Sequence, residues 1–251
     1  MRKLLKAGLA GTMLLALMAS ATASGPKWTE MGDAGSLPGG AQTPMGAGLL
    51  AQINGILGTI SIAGGIDFED MFLINIVDPM NFRATTDPND PVLMALDAFA
   101  NFNTQLWLFR PTPADPLDAL GFLGNDDHPD VPGSLHSLLI PIPTDGSPPL
   151  VAPGLYYIAI SRSIIFDPRE NHNDPVSAGG EIFNQASQTE ISGPDGPGGM
   201  MMLPISGWTG DQGKFDGAYR IALQGVEFVP APGALGLLVL AGFTMRRRRR
   251  R

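Results

Sequence analysis

There is no cysteine in the 251 residues. Disulfides therefore cannot staple the fold, and thiolate metal sites and thiol nucleophiles are excluded. Charged residues make up only 16% and aromatics only 7% of the chain. The three histidines, His128, His136 and His172, show no H-E-x-x-H or other metal-ligand spacing. No G-x-S-x-G sequence sets up a nucleophilic serine. Ser134 and Ser137 flank His136, but residues alternating along a strand point to opposite faces. No catalytic motif has its required context. The chain is expected not to be an enzyme, with a cryptic secreted hydrolase as the alternative.

What is abundant is glycine (32) and proline (23), within a chain that is 44% hydrophobic. Both residues interrupt helices, one through backbone entropy and the other through its missing amide donor. Between them lie short apolar runs. Residues 49–57 form the first; Met71 to Val77 is near-continuous and bounded by acids and Asp78-Pro79; Thr104 to Phe109 alternates and stops at Arg110-Pro111. Leu135 to Ile142, Leu155 to Ser163 and Tyr219 to Val226 complete the set. Such runs with turn signals between them predict an all-β, jelly-roll-like antiparallel sandwich. Val92 to Ala100 is expected as one short helix, with Pro91 in its first turn. The stretches 111–132 and 166–216 hold much of the Gly and Pro and are expected as surface loops. Residues 24–48 are expected as a mobile lead-in to a domain spanning 49–228.

The net charge of −8 conceals a polarity. Arg2, Lys3 and Lys6 stand at one end and Arg246 to Arg251 at the other. Without those nine, seven basic residues face all 24 acids, a balance near −17. A body so acidic repels nucleic acid, which is not expected as a partner. Residues 1–23 have the order of a secretory signal peptide: a basic start, an apolar stretch from Ala7 to Met18, and Ala21-Thr22-Ala23 as the signal-peptidase site. The apolar stretch is short of the roughly 20 residues of a membrane span, the alternative reading. At the other end come Pro230-Ala231-Pro232, an apolar run from Ala234 to Met245, and the arginines. Arginines there would remain cytoplasmic and leave the body outside.

The order of Pro230 and Pro232, apolar run and Arg246-Arg247 cluster resembles the bacterial PEP-CTERM sorting signal, with Ala231 where that family carries Glu. The resemblance implies handling by an exosortase-type membrane protease, transient membrane contact through residues 229–251, and a cell-surface or extracellular location. A plain C-terminal anchor gives the same topology. The body has its own resemblance. Residues 67–72 (Asp-Phe-Glu-Asp-Met-Phe), 102–109 (Phe-Asn-Thr-Gln-Leu-Trp-Leu-Phe), 124–127 (Gly-Asn-Asp-Asp) and 153–160 (Pro-Gly-Leu-Tyr-Tyr-Ile-Ala-Ile) follow the motif order of the bacterial pre-peptidase C-terminal domain. That likeness implies a compact, non-catalytic β-sandwich on a secreted or surface protein.

The acids offer the one metal hypothesis. Asp67, Glu69 and Asp70 precede one strand and Asp126 and Asp127 occupy a later turn. Clustered loop carboxylates suit calcium, which takes six to eight oxygen ligands; the alternative is that these residues simply make turns. The expected function is surface, matrix or envelope association, with a module for extracellular polysaccharide or protein, calcium-assisted or not, as the alternative.

Overall fold

The computed structural model describes residues 27–58, 68–163, 173–210 and 217–231. Among the described residues fourteen strands follow in chain order: β1 (Lys27–Thr29), β2 (Gln52–Leu57), β3 (Asp70–Ile76), β4 (Arg83–Thr85), β5 (Phe99–Ala100), β6 (Thr104–Pro111) and β7 (Ala119–Asn125). After them come β8 (Leu138–Leu139), β9 (Gly154–Arg162), β10 (Pro175–Ser177), β11 (Gly180–Glu181), β12 (Ile205–Trp208), β13 (Gly217–Gln224) and β14 (Val226–Glu227). The helical α1 (Pro197–Met200) is a single turn. No helix among the described residues is long and apolar enough to cross a membrane. The apolar run 234–245 lies outside them, as do residues 1–26.

The strands form an all-β sandwich with an added third layer. One sheet runs β1-β2-β13-β4-β8, with β5 also on β13; the second runs β14-β3-β9-β6-β7; a small third runs β11-β10-β12. All pairings between these strands are antiparallel except β1 with β2. The second sheet is the middle layer. Its inward residues Phe72, Ile74, Leu106, Leu108, Ile158 and Ile160 meet Ile53, Tyr219, Ile221 and Leu223 of the first sheet. Its outward residues Met71, Trp107, Phe109, Tyr157 and Ala159 are covered by Ile182, Phe183 and Ile205, with Trp208 at the margin. A sheet buried on both faces has apolar residues at consecutive positions, which explains the near-continuous run at 71–76, broken only by Asn75.

Several expectations change. The stretch 111–132 is no mere loop, since it contributes β7, and Pro111 itself ends β6 opposite Ala119. The stretch 166–216 contributes β10, β11, β12 and α1, although 164–172 and 211–216 lie outside the described residues. The expected strand 135–142 contracts to Leu138–Leu139. The expected helix at 92–100 is one 3-10 turn, Met94–Leu96, closed by Asp97 in the left-handed region at φ 57°. Sheet pairing wins there, because Phe99 and Ala100 bond to Arg220 and Tyr219. Residues 27–48, expected as a mobile lead-in, lie against the sandwich. Trp28 meets the Phe72 ring edge-on at 5.7 Å, and Gln42 exchanges backbone hydrogen bonds with Met71 and Leu73.

Chain direction fixes two poles. Gly217 stands beside Leu57 and Ala222 beside Gln52. The Tyr219 hydroxyl reaches Asp70 at the start of β3, and a side chain on Gly217 would strike Phe102, just before β6. Leu57, Asp70, Phe102 and Gly217 therefore share one pole. At the opposite pole, Lys27 pairs with Gln52 and Val229 with Met45. Both ends of the described chain leave from there. Gly225, at φ 75°, turns the chain from the first sheet to the second, and a Cβ on it would sit 2.5 Å from the Asp78 carbonyl oxygen.

Candidate functional site

Of the sequence-derived calcium set, Asp67 lies outside the described residues. The other four divide into two pairs. Asp70 stands opposite Ile160, Ile160 opposite Leu106, and Leu106 opposite Asn125. Glu69-Asp70 and Asp126-Asp127 thus sit at one end of the middle sheet, where the backbones of Asp70 and Asn125 are three strand spacings, or about 14 Å, apart. Glu69 is buried and accepts a hydrogen bond from the Asn173 amide. Burial raises its pKa against that bond. Asp126 accepts from Ser163 Oγ at 3.1 Å, and burial together with the charge of Asp127 lifts its pKa to about 8.

Asp70 instead joins two acids that the sequence reading passed over. Carboxylate oxygens of Glu30, Asp33 and Asp70 all lie within 4.8 Å of one another. Asp70 faces the interior, where Tyr219 donates its phenolic hydrogen to Oδ2 at 2.6 Å. Glu30 follows β1 and accepts from the Ile56 amide at 3.0 Å through Oε2, while Oε1 is buried without a hydrogen-bond partner. Gly55 makes the room: a Cβ there would stand 2.7 Å from Glu30 Oε2 and collide with the Tyr219 hydroxyl. Burial raises Glu30 to a pKa of about 7, with Asp33 adding repulsion, and burial with the neighbouring acids pushes the Tyr219 phenol well above its usual value. Three carboxylates so close are relieved chemically by a proton or by a cation. A cleft of about 400 Å³ adjoins the cluster, lined in part by Glu30, Asn54 and Tyr219.

The histidines divide differently. His128 is buried: Nδ1 accepts from the Asp130 amide at 3.1 Å, so Nε2 carries the hydrogen and donates to Asp90 Oδ2 at 3.0 Å. Arg83 Nε donates to the same oxygen at 2.8 Å, and Asp90 Oδ1 accepts from the Val92 and Leu93 amides. Burial opposes the charge of Asp90, but His128, Arg83 and the amides outweigh it and hold the carboxyl well below its usual range. Both ring nitrogens of His128 are thus engaged, Nε2 in the lock on the 83–93 segment and Nδ1 by Asp130. Ser134 donates to Asp87 rather than to a histidine, so the Ser134–His136 proximity makes no nucleophile pair. His172 lies outside the described residues.

Trp107 is core, 1% exposed, with its Nε1 donating to Ser161 Oγ at 2.8 Å. Trp208 packs edge-on to Trp107 and Phe109 and donates to the Ser36 carbonyl at 2.8 Å. Met200, Met201 and Met202 are 65–72% exposed. Of the sorting residues, Pro230 is exposed at the end of the described chain. Ala21, Ala23, Pro232, Arg246 and Arg247 lie outside it. Comparison with known proteins finds no matching family model, no matching curated protein and no matching solved structure.

Proposed function

We propose that the chain is a non-catalytic protein exported to the cell surface or extracellular matrix, with the sandwich as its working part and residues 229–251 as a sorting signal. The carrying observation is the layout of charge and hydropathy. Apolar segments with basic flanks bracket a body in which seven basic residues face 24 acids. Membrane machinery sorts such segments to opposite sides. The order of the body motifs supports the reading too, since the pre-peptidase-like segments fall on β3, β6, the end of β7, and β9. Cell fractionation with mass spectrometry of the mature termini tests it. The expected result is envelope or medium protein beginning at Ser24 and lacking the arginine cluster; whole chain in the cytosol would overturn it.

A calcium-assisted variant of this reading is favoured at one place, where Glu30, Asp33 and Asp70 converge. Calcium is held by such oxygen sets, and binding only to the folded state raises the melting temperature. An equal midpoint in calcium and in chelator at pH 8 would remove the variant and leave the surface reading standing.

A further inference from the structure

A second cleft, of about 600 Å³, opens beside the start of β6. That volume falls within the ~300–1,000 Å³ of small-molecule sites. Asn101, Asn103 and His136 contribute polar surface; Phe102, Val131 and Leu135 contribute apolar surface. Among the described residues, no Asp, Glu, Lys or Arg lines it. Burial also lowers the pKa of His136, against the pull of Asp87, which favours the neutral imidazole.

The wall is firmly bonded. Ser134 donates to Asp87, and the His136 amide donates to Ser134 Oγ at 3.1 Å. The Ser137 amide reaches Thr86 and Thr104 hydroxyls at 3.0 and 3.1 Å, and Ser137 Oγ donates to the Thr104 carbonyl at 2.7 Å. The Thr104 amide donates to the Leu135 carbonyl at 3.1 Å. Against this background Asn103 stands out. It is only 5% exposed, its backbone is engaged by Ser163, and neither its Nδ2 nor its Oδ1 has a hydrogen-bond partner. His136 Nδ1 is likewise buried and unpaired. Buried amides are almost always bonded, because leaving donor and acceptor unmade is destabilising. A side chain kept in that condition within a rigid cleft is suited to a ligand rather than to the fold.

We propose that this cleft is a subsite for one neutral sugar residue of an extracellular glycan, with the Asn103 amide bonding adjacent hydroxyls and His136 adding a further contact. A donor and an acceptor side by side match hydroxyls, each of which can play both parts. The uncharged lining disfavours phosphate, carboxylate and cationic ligands. A peptide added by main-chain pairing needs a free strand edge, and the cleft is walled largely by the 101–103 and 131–136 loops. The proposal deepens the surface reading and rests on it for the glycan's source.

The test uses the full chain on a neutral-glycan array and a parallel peptide array, with Asn103→Leu and His136→Phe variants and the melting midpoint of each. The expected result is retention on neutral glycans, weakened about fivefold or more in both variants, as loss of hydrogen bonds of ~1 kcal/mol each implies. Asn103→Leu should melt no lower than the parent, because the amide makes no bond within the protein. Absence of glycan retention, retention on peptides alone, retention unchanged by both variants, or a midpoint lowered by Asn103→Leu would each overturn the proposal. None of these bears on the fractionation result, so the two readings fail separately.

Discussion

Glu30 holds a proton in the folded protein at a pH where an exposed glutamate would have lost it. Its folded pKa of about 7 stands above the ordinary 4.5, so its contribution to stability is complete below the ordinary value and is lost as pH rises through 7. Above that, an ionised Glu30 faces the carboxyl groups of Asp33 and Asp70. Glu30→Gln should remove this part of the pH dependence, leaving the melting midpoint near the parent at pH 5 and above it at pH 8 in chelator. The same variant should abolish any calcium-dependent rise. Arg83→Met has the opposite character. It strips a buried carboxylate of its cation while His128 still donates to it, and such losses cost about 3–5 kcal/mol by denaturant unfolding. Neither effect was visible in sequence. Glu30 and Asp33 lie in a Gly-rich stretch resembling a loose lead-in, and the 149 positions separating Asp70 from Tyr219 give no local signal.

At the scale of elements, the middle sheet controls stability because both its faces are covered. Trp107 lies at its centre, 1% exposed and in ring contact with Phe183 at 5.1 Å. Trp107→Ala should cost about 3–5 kcal/mol in a denaturant titration. Trp208→Ala, at the margin, should cost less and expose the β10–β12 layer to limited proteolysis first. The inner strands were legible in sequence because they are apolar runs of strand length, and β3, β6, β9 and β13 fall where those runs do. β7 was not legible. Its Gly121 and Gly124 read as loop, yet they are there for packing: a Cβ on Gly124 would stand 2.5 Å from the Trp107 ring, and one on Gly121 would strike Ile182. The glycines that disguise the strand let the third layer approach it. The layer itself, made of strands of two to four residues, is too short for periodicity to reveal.

Across the whole molecule, buried acids set the response to pH. Glu30 near 7 and Asp126 near 8 are both raised, so the melting midpoint should fall as pH rises from 6 to 9. A flat profile over that range would mean the acids carry no such linkage. The all-β sandwich followed from composition and run length, whereas the convergence of acids and the unpaired Asn103 amide depend on contacts between distant segments. The arrangement of the poles has a further consequence. Both described ends depart beside Gln52 and Val229, and the Asn103 cleft lies at the far side, one strand length away. A chain tethered by its tail would carry the cleft on the surface turned toward the surroundings, like a hand held out from the wall. Trimming the tail would free the protein without reshaping that hand.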